Sequence, residues 1–424
     1  MKHLLFSFSL IVGVQAVAQT CPSSLQRVRV MAVGDIIFHG ALLQQAMNEN
    51  KGGFAALWKP VQPLMDQADL LYGNLEGPAA EKINAQGQFV AGAGDLYDPQ
   101  GSIYSPGSEG ISYTFNFHPE GVKALQKSGF EVLSLANNHS ADRGRLGLDK
   151  TLELFESLNL VGYGTKHSQK SANWYSLVQK KGLRLAFVGC TYETNGGGYA
   201  DQILKCYRAG VSNPQVLNLI KDLSAKVDLV VFTPHWGTEY SFNVNAQQKR
   251  LAEDALAAGA RVILGSHPHV LQATEVRRDP RGEVTALIAY SLGNWVTNQQ
   301  PYDYKDTAKH MRFFSQRISH MLFFELEKTS QGVKIHSPRF VPTYMAAKHE
   351  TSFGGRALYP AYPDLYGKNK TLQNKIEMAR LYLEKSNPFN VSEDLRRDHY
   401  GEVRSTYLKY KVPAERLSSL FCEN

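Results

Sequence analysis

Short apolar, β-branched runs alternate with longer segments of helical spacing along the first three hundred residues. Residues 27–33 (RVRVMAV) read as a strand and 41–48 as a helix. Residues 68–71 read as a strand, 120–128 as a helix and 131–135 as the next strand. A helix is predicted over 147–158, ending before Gly162, and strands over 183–189 and 229–233. Residues 246–258 form an amphipathic helix closed by Gly259, which feeds a strand at 261–264; 286–290 is the last clear strand of the series. Strands alternating with helices predict an α/β architecture.

Two regions break the rhythm. Residues 91–113 are rich in Gly, Ser, Pro and Asp and too long for an ordinary connector, which marks a functional or mobile loop. After about Asn298 the pattern turns polar and aromatic over 302–317. Strands then follow at 320–326 and 334–340, and helices from Thr371.

Composition narrows the class. With 424 residues, 43% hydrophobic and 20% charged, the chain is a globular protein of one large domain with an appendage, or of two domains. The start resembles an export signal. Lys2 supplies the positive end, residues 4–14 an apolar core and Ala16-Val17-Ala18 a cleavage site, so residues 1–18 are expected to be removed. That apolar core is too short for a permanent membrane span, and no later run is long enough, so no transmembrane anchor is expected in the mature chain. The expected location is periplasmic or extracellular. Four cysteines then remain, Cys21, Cys190, Cys206 and Cys422, and an even count in an exported chain favours disulfides. Three pairings are open; Cys190 with Cys206 is the local choice, and Cys21 with Cys422 would tie the two ends. The net charge of +7, or +6 without Lys2, is compatible with an anionic polymer as partner but carries little weight. No feature points to nucleic acid.

Polar clusters follow the predicted strands, where α/β folds gather their ligands. Gly265-Ser266-His267-Pro268-His269 puts two imidazoles one residue apart at a strand end, a spacing suited to a metal centre. Upstream stand Asp35 and His39 in GDIIFH, Glu76 in GNLEG, Asn138 and His139 followed by Asp142 in ANNHSAD, and His235 in PHWGTEY. Each has a plainer reading: Asp35 as a helix cap, GNLEG as a polar turn, and Asn-Asn-His as a cap on the next helix. Taken together, carboxylate, amide and imidazole ligands suit Mn, Fe or Zn better than Mg or Ca. Two such cations sharing a carboxylate would activate hydroxide for attack on a phosphate ester.

The ordered motifs VGDIIFH, YGNLEGP, SLANNHSADRG, PHWGTEY, GSHPHV and YSLGNW resemble those of the CapA-like poly-γ-glutamate capsule biosynthesis family, a branch of the calcineurin-like metallophosphatases, over residues 28–296. The resemblance implies a four-layer αββα sandwich over about 25–300, with 301–424 completing or packing on the core. It also implies two divalent transition metal ions. Asp35 and His269 would serve the first ion, and Asn138, His235 and His267 the second, with His139 as proton donor and Asp142 the other catalytic candidate. Two positions depart from the superfamily pattern. Ile37 stands where a histidine opens it, so His39 is expected to substitute; Asn74 stands at the bridging aspartate, so the bridge is expected to pass to Glu76.

The implied function is a metal-dependent hydrolase of the envelope, acting on a phosphoester or on the amide backbone of an anionic polymer, with capsule-assembly proteins as partners. A second reading is a non-catalytic polymer-binding or export component, and a third a vestigial fold with a structural role. His310, Arg312 and Arg317 are within the class that could reach an anionic substrate, although a solvated basic loop explains them as well.

Overall fold

The structure is a computed structural model that describes residues 27–48, 51–91, 114–170, 173–299, 314–384, 404 and 407–421. The expected export segment, Cys21, Cys422, His310, Arg312 and all but the first residue of the loop at 91–113 lie outside these residues.

The elements in chain order are β1 (Arg27–Ile36), α1 (Gly40–Ala46), α2 (Gln62–Met65), β2 (Leu70–Leu75), α3 (Pro119–Lys127), β3 (Phe130–Ser134), α4 (Gly144–Ser157) and β4 (Val161–Tyr163). They continue as β5 (Tyr175–Lys180), β6 (Leu183–Thr191), the short pair β7 (Tyr207–Arg208) and β8 (Val211–Ser212), α5 (Pro214–Ser224), β9 (Leu229–His235) and α6 (Ala246–Ala257). Then come β10 (Ala260–Leu264), β11 (Thr274–Arg278), β12 (Val284–Ala289), β13 (Asn294–Val296), β14 (Ile318–Thr329), β15 (Gly332–Ala346), β16 (Ala357–Pro360) and α7 (Lys370–Glu384).

One hydrogen-bonded path runs β4-β3-β2-β1-β14-β15-β12-β10-β9-β6-β5. It folds back on itself, as the side chains reveal. Successive strand residues point to opposite faces. On β1, Val28, Val30 and Ala32 join a core shared with Leu185 and Phe187 of β6, Val231 of β9 and Leu264 of β10. Their neighbours Met31 and Val33 face the other way, onto Leu42 and Leu43 of α1 and Val122 and Leu125 of α3. On the second leaf, Val188 and Phe232 pack under Val216 and Ile220 of α5 and Leu251 and Ala255 of α6. Both leaves are therefore buried on both faces, the usual condition of parallel strands, and the layers run α/β/β/α.

The expected strands and helices are present with shifted ends, since side-chain period marks an element better than its boundary. Three findings go beyond those expectations. Helix α5, absent from the expected elements, begins at Pro214 behind Asn213, whose side chain accepts from the Gln215 N–H; the Asn-Pro pair is its local signal. Strands β14 and β15 lie in the middle of the path, between β1 and β12, so residues beyond 300 supply the strands that join the two leaves. Arg317 is buried against Glu350, with Nε donating to the Met345 carbonyl at 2.7 Å, and so is not a solvated loop residue. Cys190 and Cys206 are disulfide-bonded. Among the described residues no helix is long and apolar enough to cross a membrane.

Candidate metal centre

The parallel strands deliver the polar clusters to one edge. In the first leaf Asp35 of β1 lies beside Asn74 of β2, and Asn74 beside Ser134 of β3. In the second, His235 ends β9 and bridges to Ser266, directly after β10. Close backbone approach makes this convergence possible. A Cβ on Gly34 would lie 1.8 Å from the Gly293 carbonyl oxygen, and one on Gly265 would lie 2.2 Å from the Tyr290 carbonyl oxygen. Only glycine fits either place.

Three groups of side chains bring their ligand atoms within 4.8 Å of one another: Asp35, Glu76 and His269; Glu76, His235 and His267; and Glu239, His267 and His269. Glu76 belongs to two of them. Its Oε1 is 3.5 Å from His269 Nε2 and 3.7 Å from His235 Nε2. Asp35 Oδ2 is 3.3 Å from His269 Nδ1 and accepts the His267 N–H at 3.2 Å. Asn138 Oδ1 lies 2.9 Å from His235 Nε2, while His235 Nδ1 is fixed by Ser266 Oγ at 2.9 Å, so the ring keeps one nitrogen turned to the centre.

The charge state of the centre suits cations. Glu76 is fully buried, and neither carboxylate oxygen has a hydrogen-bond partner. Burial, reinforced by the nearby Asp35 charge, pushes its pKa well above the usual carboxylate range. His267 Nδ1 is likewise buried and unpartnered. Burial and the neighbouring imidazoles hold His235 and His267 well below the ordinary histidine value, hence in the neutral form that ligates metals. His269 goes the other way: burial opposes its charge, but the hydrogen bond and field of Asp35 raise it. An orphaned buried carboxylate costs several kcal/mol unless protonated or neutralised by a cation. The carboxylates, the amide and the neutral imidazoles of His235 and His267 therefore form a donor set that fits a divalent cation.

His267 and His269 both sit at positive φ, 99° and 59°, as does Tyr240 at 61°. Non-glycine residues pay about 1–3 kcal/mol for such conformations and keep them where the surroundings over-determine them. Here the Tyr240 N–H donates to the Pro268 carbonyl at 2.8 Å, tying the two loops together.

Beside these ligands, His139 Nδ1 meets Asp142 Oδ2 at 2.7 Å, and that oxygen also accepts the Phe115 N–H at 2.6 Å. The Phe115 ring lies 4.3 Å from the imidazole, leaving Nε2 beside Asn195 Nδ2 at 3.3 Å. The plainer readings of these motifs do not describe the structure. His39, not Asp35, is the residue before α1, and Arg143 precedes α4 without a side-chain cap from the Asn-Asn-His turn.

Of the expected ligands, Asp35, Glu76, Asn138, His235, His267 and His269 come together, and His39 stands outside the three groups. It lies past the strand end, where Nδ1 accepts the Asn298 N–H at 3.1 Å and the ring meets Phe115 edge-on. Burial, then the field of His269, lowers its pKa to about 3. The substitution of His39 for the ligand absent at Ile37 is thus not seen; the Ile37 side chain points into the outer core. Asn74 instead donates to Asp35 Oδ1 at 2.9 Å and orients it. Glu239 joins the site although the sequence motifs did not single it out. It follows His235 by four positions, in the loop that leaves β9, a spacing that could have drawn attention to it.

Residues 29–299 match the family described as bacterial capsule synthesis protein PGA_cap. The PGA biosynthesis protein CapA of Bacillus subtilis (strain 168) is 32% identical over 271 residues, covering 63% of this chain and 62% of that protein. The capsule biosynthesis protein CapA of Bacillus anthracis is 31% identical over 304 residues, covering 69% of this chain and 66% of that protein. The matches thus span a little under two thirds of these relatives' own lengths. A solved structure of a hypothetical protein from Thermus thermophilus aligns over 74% of this chain and 99% of its own, with a TM-score of 0.40 and 16% identity, too distant to carry an argument.

Proposed function

Given that the chain belongs to the bacterial capsule synthesis protein PGA_cap family, we propose that it is an exported metal-dependent hydrolase acting on an anionic envelope polymer. Poly-γ-glutamate, or a phosphoester in such a polymer, is the proposed substrate. The observation that carries the reading is Glu76, a fully buried carboxylate with two unpartnered oxygens shared between two groups of imidazole and carboxylate ligands. Asp35 and His269 would hold one ion, and Asn138, His235 and His267 the other, with Glu76 common to both. Glu239 is the additional candidate ligand. When bound, two ions of Mn, Fe or Zn supply Lewis-acid polarisation and an activated water.

The chain's own groups do the rest. Ser266 holds the His235 ring, and Asn74 holds Asp35. His139 delivers a proton from Nε2 to the leaving oxygen or nitrogen as the ester or amide bond breaks. Asp142 acts through His139 by fixing Nδ1, and Phe115 shields the pair from water. The disulfide between Cys190 and Cys206 supports action in an oxidising compartment.

The test is metal analysis of the purified protein together with hydrolysis of a phosphodiester and of poly-γ-glutamate, with and without chelator. Retained transition metal and chelator-sensitive hydrolysis are expected. The reading is overturned by a protein that retains no transition metal, or by hydrolysis that survives His267→Ala combined with His269→Ala.

A further inference from the structure

A second feature lies apart from the metal centre and shares no residue with it. Three segments distant in sequence meet around a cavity of about 240 Å³: the end of β11, the middle of β15 and the stretch 409–420. The polar lining carries Arg278, Arg339, Lys409, Lys411 and Arg416, beside Tyr410, and no acidic residue among those described. Pro338 and Pro413 stiffen two of the walls.

Like charges gathered at one concavity repel and focus a positive potential into it. Two carboxylates that meet the cluster also serve other cations. Glu384 accepts from Lys411 at 2.8 Å, but it also pairs with Arg380. Glu325 is 4.0 Å from Arg339, but it is also 3.7 Å from Arg27. Both acids are thus shared with cations outside the cavity, and the described lining itself brings five basic side chains and no acidic one. Lys409 and Arg278 are exposed at its rim, where a chain in solution can reach them. The cavity is a small concavity open to solvent, a shape that admits a short stretch of extended chain.

We propose that this cavity is an anion-binding subsite that grips a stretch of polycarboxylate chain away from the metal centre, its carboxylates pairing with the arginine and lysine side chains. The choice of polymer rests on the reading of the chain as one that handles poly-γ-glutamate; the subsite itself does not depend on metal. Such a grip would hold a long substrate on the protein between chemical events.

The experiment is fluorescence polarisation of a labelled γ-glutamate oligomer on the full chain, with a polyphosphate chain of matching charge in a parallel arm. Chelator is present throughout, so that loss of the metal centre cannot be confused with loss of the subsite. Binding that weakens with salt is expected, and the double variant Arg278→Glu with Lys409→Glu should weaken it by about tenfold or more. The milder pair Arg278→Gln with Lys409→Gln should give a smaller loss in the same direction, which guards against misfolding of the reversed variant. The proposal is overturned if the oligomer does not bind in chelator, or if both variants bind it as tightly as the wild type. Preference for polyphosphate over the γ-glutamate oligomer overturns the assignment to a polycarboxylate. Failure of the hydrolysis tests above, with binding intact, would sink the metal-centre reading alone.

Discussion

Replacing Glu76 by glutamine separates a carboxylate placed for metal from one placed for the fold. Glutamine keeps the shape and removes the charge. In metal-free protein, the wild type must either ionise a buried carboxylate without donors or hold a proton whose pKa burial has raised. A neutral side chain avoids that cost, so Glu76→Gln in chelator should unfold at the wild-type temperature or slightly above it. With metal the order should reverse. An ion at about a hundredfold excess over its Kd stabilises the native state by about 2.7 kcal/mol. At about 2.1 cal/mol/K of unfolding entropy per residue, a chain of about 400 residues rises by about 3 °C in Tm. The wild type should show this rise when Mn or Zn replaces chelator, and Glu76→Gln should lose most of it, because the shared ligand weakens both groups at once. Scanning calorimetry of both proteins under both conditions gives the four temperatures. Two results refute the reasoning: a metal-free variant well below wild type, which would make the carboxylate structural, or equal metal-induced rises in both proteins.

Three further outcomes are expected. His139→Asn should lower kcat by about 10²–10⁴-fold with little change in KM, and Asp142→Asn, which acts only through His139, should lower kcat in the same direction by a smaller factor, both read from steady-state kinetics on the hydrolysed substrate. Cys190→Ser with Cys206→Ser should cost about 3 kcal/mol in urea unfolding, because a loop of 16 residues is released. Asp69 is held down at about 2, against the opposing effect of burial, by hydrogen bonds from Arg29 at 2.8 Å and Lys181 at 2.7 Å. Its folded pKa lies below its unfolded value, so the stabilisation is present above about pH 4 and fades as pH falls toward about 2. With solvent access taken into account, the stabilisation amounts to about 1 kcal/mol. Asp69→Asn should therefore lose about that much at neutral pH, and the gap to wild type should narrow progressively in acid.

Local pattern and nonlocal pairing divide the readable from the unreadable in this chain. The runs at 27–33, 229–233 and 261–264 announce strands because each must bury both faces, and that demand is written in consecutive residues. The histidines and carboxylates just beyond them were legible as candidates because parallel strands present the residues past their carboxyl ends along a common edge. Local spacing carried no information on which strands would be neighbours. Val28 pairs with Leu326 across nearly three hundred positions, and β14 and β15 enter the middle of the sheet from the segment whose pattern was least regular.

The same division runs through the site. His39 is two residues from Ile37 in sequence, yet the chain leaves the strand there and turns its imidazole to Asn298 and Phe115. Glu239 reaches His267 and His269 across two loops that the Tyr240–Pro268 hydrogen bond joins. The cavity lined by Arg278, Arg339 and Lys409 has no counterpart in any continuous motif. The amino-acid sequence by itself determined the element types, their alternation and the chemical identity of the ligands, because propensity, side-chain period and donor type are properties of residues and near neighbours. Tertiary structure decided which ligands meet, which carboxylate is left buried without a donor, and where cations from three segments collect. Those outcomes depend on distances between parts of the chain that only closure of the two leaves establishes.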